Sequence, residues 1–275
     1  MRKAVTSAFM ECRKLAGGRF TPARVSVIIE KELLISINGR PLVTASITPG
    51  LEKEFVAGYL FGQGFIDRLK DIETLEIDGG AATVNLKDAS KLAGETGTSY
   101  RIVSGGGRSA FSEGILLHRV NSSLKVRRED IYRAMNAVFI GAGLYSETEG
   151  THAAGLFTPA DDPVCLAEDI GRHNTLDKVI GHALINKIDC SNVFLAATGR
   201  MSSEMVTKVC RAGIPLIATK TAVTDRGIET ARRYGMTIIG FVRDTGTRIH
   251  TDMEVRTIAE PVMKIYTGAG RVICK

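Results

Sequence analysis

Along the first third of the chain, apolar and polar positions trade places residue by residue. RVSVIIE (24–30), ELLISI (32–37) and PLVTASI (41–47) carry the two-residue period of half-buried strands, and Asn38-Gly39 between the last two suits a tight hairpin turn. Phe55, Val56, Tyr59 and Leu60 then recur at helical spacing and predict a helix over 52–62. ETLEID and ATVNL flank Gly79-Gly80 as a further hairpin, residues 87–99 are polar and loop-like, and Ile131, Met135 and Val138 mark one face of a helix over 129–139.

From about residue 150 the rhythm changes. HAAGLF (152–157) and PVCLAED (163–169) read as paired strands. After them, helices NTLDKVIGHALIN, SEMVTKVCRAG and DRGIETARRYG alternate with strands NVFLAAT, PLIAT and TIIGFV. Short apolar strands separated by helices of this length predict βα units on a mainly parallel sheet, hence an α/β fold. The predicted organisation is a tail (1–23), a strand-rich portion (24–99), an α/β domain (100–250) and a C-terminal segment (251–275).

Composition narrows the classes. At 275 residues and 44% hydrophobic the chain can bury one large core and a smaller one, and 24% charged residues is ordinary for a globular protein. A net charge of +6 favours anionic partners, but 36 Lys and Arg are interspersed with 30 acids and form no basic tail, so no nucleic-acid partner is expected. No apolar run is long enough for a membrane span, the N-terminus lacks the apolar core of a secretory signal, and the five cysteines show no CxxC pair. A cytoplasmic protein is the expectation. Cys165 and Cys210 sit in apolar surroundings and are expected to be small core residues, whereas Cys12 and Cys274 lie near the ends.

Ligands of open α/β sheets bind where strands end and helices begin. Each predicted strand exit here carries a cation: Arg172 with His173, then Arg200, Lys220 and Arg243. Asn174, Ser202 or Ser203, and Thr224 stand where helix N-caps are expected. Guanidinium groups and helix N-termini aimed into one crevice would hold phosphates, which points to a nucleotide-like polyanion. Neither a Walker sequence nor G-x-G-x-x-G is present. EDIGRHNTLDKVIG (168–181) is the densest polar stretch, with His173 and Asp177 one helical turn apart as candidate catalytic groups. No protein-bound metal is expected, because no two histidines share i,i+4 spacing and Ala154 stands where a zinc deaminase needs glutamate after His152. In VSGGGRSA (103–110), Gly105, Gly106 and Gly107 suit an anion cradle, close approach of a reactive side chain, or a simple turn.

HAAGLF, EDIGRHNTLDKVIG, TGRMSSEMVTKVCRAGIPLIATKTA and GMTIIGFVRD, in this order, resemble the formate dehydrogenase accessory proteins of the FdhD/NarQ sulfurtransferase family. The resemblance implies a cytidine-deaminase-like three-layer αβα sandwich with a mixed sheet, a smaller strand-rich N-terminal portion, and a homodimer. It further implies maturation of a molybdenum- or tungsten-dependent formate dehydrogenase. In such maturation sulfur passes from a cysteine desulfurase, through a cysteine persulfide, to the metal of bis(molybdopterin guanine dinucleotide). The family's cofactor-binding segment falls on Phe241, Val242, Arg243, Asp244, Thr245 and Gly246, with Phe241 placed to stack on a guanine and Arg243 to meet a phosphate. The family's sulfur-carrying cysteine falls on Ser104, whose hydroxyl cannot hold a persulfide. Three readings therefore stand: a sulfurtransferase-type accessory protein with sulfur carried elsewhere, a cofactor chaperone without transfer, and a nucleotide hydrolase using His173 and Asp177.

Overall fold

In this computed structural model, which describes residues 4–88, 100–102, 117–159, 163–245, 248–250 and 255–274, two larger sheets are joined by a pair of helices. The glycine loop with Ser104, Gly105, Gly106 and Gly107 lies outside the described residues, as do Gly246 and most of the polar stretch 87–99. No helix among the described residues is long and apolar enough to cross a membrane.

The chain opens with a hairpin, β1 (Ser7–Ala16) and β2 (Arg19–Ile28), turned by Gly17-Gly18 with both φ positive. The segment read as a tail thus supplies a strand. Its apolar side chains are uncovered, Phe9, Met10, Leu15 and Phe20 among them, and Arg24 and Arg13 lie over the Phe9 and Phe20 rings. At the root, the Ser7 and Ser26 hydroxyls donate to Glu147.

β3 (Lys31–Ile37) and β4 (Arg40–Ile47) form the expected hairpin, with Asn38 and Gly39 both at positive φ. Next come α1 (Glu52–Gly62), β5 (Ile72–Asp78), β6 (Ala81–Leu86) and β7 (Tyr100–Ile102), completing a five-stranded sheet in the order β5-β6-β3-β4-β7. Residues 55–62 of α1 are all buried, so this helix is apolar on every side and is covered on every side.

The second sheet starts after β8 (Val126–Arg127), α2 (Arg128–Gly141) and the short α3 (Gly143–Thr148). It is built from β9 (His152–Phe157), β10 (Pro163–Asp169), β11 (Phe194–Ala197), β12 (Leu216–Thr219) and β13 (Thr237–Arg243). Between these run α4 (Arg172–Ile185), α5 (Ser203–Arg211) and α6 (Asp225–Arg233). β14 (Arg248–His250) and β15 (Val255–Thr257) form a small hairpin, β16 (Val262–Thr267) joins the edge of the sheet, and β17 (Val272–Ile273) pairs with β8. The strand order is β10-β9-β11-β12-β13-β16, with β11, β12 and β13 parallel.

Alternation along these strands builds two cores. Leu195, Ile217 and Ile238 face Val179 of α4, Val209 of α5 and Ala231 of α6, whereas Phe194, Leu216 and Ile239 face Ile131, Met135 and Val138 of α2. The two sheets meet where α1 crosses α4. Gly58 and Gly181 allow backbone-to-backbone contact there: a Cβ on Gly58 would lie 1.9 Å from the Asp177 carbonyl oxygen, and one on Gly181 1.7 Å from that of Glu54.

Candidate functional site

Topology decides where the strand-exit cations go. β10 runs antiparallel to β9 and β9 antiparallel to β11, so β10 points the same way as β11, β12 and β13. Arg172, Arg200, Lys220 and Arg243 therefore share one edge of the sheet, where β9 also begins with His152. The loops carrying them are cross-braced. Thr219 Oγ1 donates to the Gly199 carbonyl, Thr221 Oγ1 to that of Thr198, and the Lys220 amide to that of Ala197.

Most of the polar stretch 168–178 turns inward and is structural. Asp169 accepts from the Thr48 amide (3.0 Å), the Gly171 amide (3.0 Å) and Asn174 Nδ2 (2.8 Å), and pairs with Lys178 Nζ at 2.8 Å. Lys178 spends its other protons on the carbonyls of Thr48 and Glu168. The Glu168 carboxylate accepts from the Leu144 and Tyr145 amides, anchoring the N-terminus of α3.

Three sequence expectations are corrected by this burial. Asp177 is 1% exposed and bound to Lys208 Nζ at 2.7 and 2.9 Å, so it cannot act with His173 on a ligand. Asn174 is not a helix cap: α4 starts at Arg172, and the Asn174 amide donates to Ser46 O and Asp169. Val242 is 1% exposed in the α2-side core and has no surface to offer a cofactor. Spacing gives the face of an element, not its depth.

What remains at the edge lacks such compensation. Arg172 packs its Cβ against Gly199, and its Nε is buried without a hydrogen-bond partner among the described residues. Burial, and then neighbouring Arg200, push its guanidinium below the ordinary value. Ser202 occupies the N-cap of α5 but makes no capping bond, and its buried Oγ is likewise unpartnered. Thr224 does cap α6, accepting from the Gly227 amide at 3.1 Å. His173 Nδ1 lies 3.4 Å from Glu204. Burial and then Arg172 lower the pKa of His152.

A cavity of about 410 Å³ opens beside these groups, lined by Phe139, Thr151, His152, Thr198, Lys220 and Thr221. Lys220 Nζ sits 3.5 Å from the Phe139 ring centroid, and burial followed by Arg243 lowers its pKa. Phe241 has φ +54°, a conformation disfavoured for a bulky residue, in an irregular part of β13. Two cations lie over its ring, Arg243 Cζ at 5.3 Å and Lys264 Nζ at 4.7 Å from the centroid. Asp244 accepts from Asn136 and from the Thr245 amide, which holds the turn after β13. His152, Phe139 and Lys264 were not foreseen as site residues, because strand pairing and helix packing, not local motif, bring them here, whereas Ser202 stands at the α5 N-cap the sequence led one to expect.

Comparison with known proteins places this geometry. The sequence model of the FdhD/NarQ family matches residues 28–272. A protein of Methanothermobacter thermautotrophicus named sulfur carrier protein FdhD is 34% identical over 232 residues, covering 83% of this chain and 90% of that relative. One of the same name from Saccharolobus solfataricus is 34% identical over 209 residues, covering 75% and 80%. A crystal structure from Desulfotalea psychrophila, of a protein named as a formate dehydrogenase accessory protein, superposes with a TM-score of 0.77 over 98% of this chain and 100% of that one at 22% identity, a likeness of fold.

Proposed function

The chain belongs to the FdhD/NarQ family, and on that premise we propose that it is a formate dehydrogenase accessory protein that holds bis(molybdopterin guanine dinucleotide) at its strand-exit edge and supports sulfuration of that cofactor with sulfur from a cysteine desulfurase. One observation carries the binding part: Arg172, half-buried with an unpartnered Nε, shares an edge with Arg200, Lys220 and Arg243. A buried donor without an acceptor costs about 1–3 kcal/mol, and a phosphate oxygen would supply the acceptor. Unpartnered Ser202 Oγ at the start of α5 is a second polar group suited to the same anion. Phe241, close to both Arg243 and Lys264, supplies an aromatic ring beside cations suited to phosphate, the combination a guanine nucleotide needs. Helices on both faces of the mixed sheet support the cytidine-deaminase-like sandwich, and the uncovered stripe Met10, Val25 and Val27 supports a homodimer. All five cysteines are free thiols, which supports the cytoplasm as the place of action.

Sulfur must travel on a thiol. Burial raises the pKa of Cys165, Cys190 and Cys210 to about 11 each, so little thiolate exists on any of them at neutral pH. Cys12 and Cys274 are the exposed thiols. The second reading, a cofactor chaperone that transfers no sulfur, is favoured by Ser104 at the position of the family's cysteine. Intact-mass analysis after incubation with a cysteine desulfurase and cysteine separates the two. Sulfur transfer requires one added sulfur, on Cys12 or Cys274 and lost in the Cys12→Ser, Cys274→Ser double variant; an unmodified mass leaves the chaperone reading alone.

A further inference from the structure

The opposite edge of the six-stranded sheet carries a second cluster of cations. Where β13 begins and β16 ends, a cavity of about 610 Å³ is lined by Arg119, Asn121, Arg232, Tyr266 and Arg271, among others, and by no acidic residue among the described ones. The seven residues of β13 separate it from Arg243 by about 20 Å at strand rise, so it is not part of the edge described above.

Local structure explains how the three arginines converge. Gly235 closes α6 at φ +71°, with the Met236 amide bonded to Ala231 O and the Gly235 amide to Arg232 O, which sets Arg232 at the mouth of the turn. The Val120 amide donates to Tyr234 O at 2.8 Å and draws the 119–122 segment alongside. The Arg119 guanidinium then lies against Gly235, where an added Cβ would meet its Nε at 3.0 Å. Arg271 reaches the same residue, its Nη1 donating to Gly235 O at 2.9 Å. The Arg271 Nε is buried without a partner, and among the described residues no carboxylate pairs with Arg119, Arg232 or Arg271.

Helix polarity accounts for part of this, since cations are favoured at a helix C-terminus. It accounts for Arg232, in the last turn of α6, and for Arg271, which donates to a terminal carbonyl, but not for the convergence of three guanidinium groups on one cavity with no carboxylate among its described lining residues. We propose that Arg119, Arg232 and Arg271 form a second anion site, one that takes the diphosphate group of a small molecule. Three guanidinium groups match the charge of a diphosphate at neutral pH; Arg119 and Arg232 can each fork onto two oxygens in the way phosphate recognition uses, while Arg271, held to the Gly235 and Ser122 carbonyls, adds its charge beside them.

The test uses the full chain carrying Arg172→Ala and Arg200→Ala, so that the strand-exit edge contributes little. Calorimetric titration with inorganic pyrophosphate at physiological salt is expected to show one site per chain. Adding Arg119→Ala should weaken it at least tenfold, Arg232→Ala likewise, and Arg119→Lys less. Both residues are exposed, and an unchanged melting temperature verifies folding of each variant. Parallel titration with ADP distinguishes sources: tighter binding than pyrophosphate assigns the diphosphate to a nucleotide, and weaker binding to the free anion. Absence of pyrophosphate binding, or binding indifferent to both Arg119→Ala and Arg232→Ala, overturns the proposal.

Discussion

The inside and the rim of one polar segment treat charge in opposite ways. Inside, Lys178 donates to Asp169 and two carbonyls, and Lys208 grips both oxygens of Asp177, so each buried ammonium is neutralised and hydrogen-bonded. At the rim, Arg172 keeps an orphaned Nε and Arg200 adds a like charge beside it. Residues a few positions apart in EDIGRHNTLDK are therefore treated differently: the buried ones tie α4 to Thr48, Ser46 and α5, and half-buried Arg172 keeps a donor without a partner among the described residues. Density of charge in a sequence does not by itself distinguish these roles. Completeness of partners does.

The harshest way to probe the inside is to separate the elements it joins. Gly181→Ala should leave the protein largely unfolded or insoluble, because its Cβ would fall 1.7 Å from the Glu54 carbonyl in a helix contact that has no slack. Circular dichroism and size-exclusion chromatography of the purified variant check this. Next in size comes a matched pair. Lys208→Met strands Asp177 in the core and should cost about 3–5 kcal/mol of unfolding free energy in a urea titration. Arg200→Ala should change stability by no more than about 0.5 kcal/mol yet weaken GDP, used as a cofactor fragment, roughly tenfold. A stable Lys208→Met or an unstable Arg200→Ala would erase the distinction between core and rim.

The smallest effect is one of pH. His152 titrates below its ordinary value of about 6.5 because it is buried and faces Arg172 and His173, with Asp169 opposing. Between the folded and unfolded values the unfolded chain binds the extra proton, so stability from this group is present above about pH 6.5 and falls as pH drops through the lower folded value. Melting temperatures from pH 8 to 5.5 should decline on the acid side, and His152→Gln should flatten that decline.

Much of the framework was legible in the periodicities. The hairpin turns at Asn38-Gly39 and Gly79-Gly80, α1 over 52–62 and the alternation after residue 150 all follow from apolar spacing, because these elements bury one face or all faces. Of the β1-β2 hairpin only the end of β2 was legible, where Val25 and Val27 alternate with Arg24 and Ser26; β1 was not, because its uncovered Phe9 and Met10 fall on opposite faces and set no period. β16 lay hidden in a segment whose pairing partner, β13, is some twenty residues earlier. At the site, strand exits could be placed from order alone, which brought Arg172, Arg200, Lys220 and Arg243 to one edge. Depth could not, and Asp177, Asn174 and Val242 were misread because tertiary packing decides whether a helical or strand position meets solvent or core. His152 became visible only when β9 was paired beside β11.

The glycine contact between α1 and α4 has a mechanical meaning for the whole molecule. α1 and α4 touch main chain to main chain, and α4 is in turn pinned to β10 by Lys178–Asp169 and to α5 by Asp177–Lys208, both ion pairs shut away from water. A displacement of α4 is therefore passed directly to α1 and the first sheet, because neither backbone can yield at the contact.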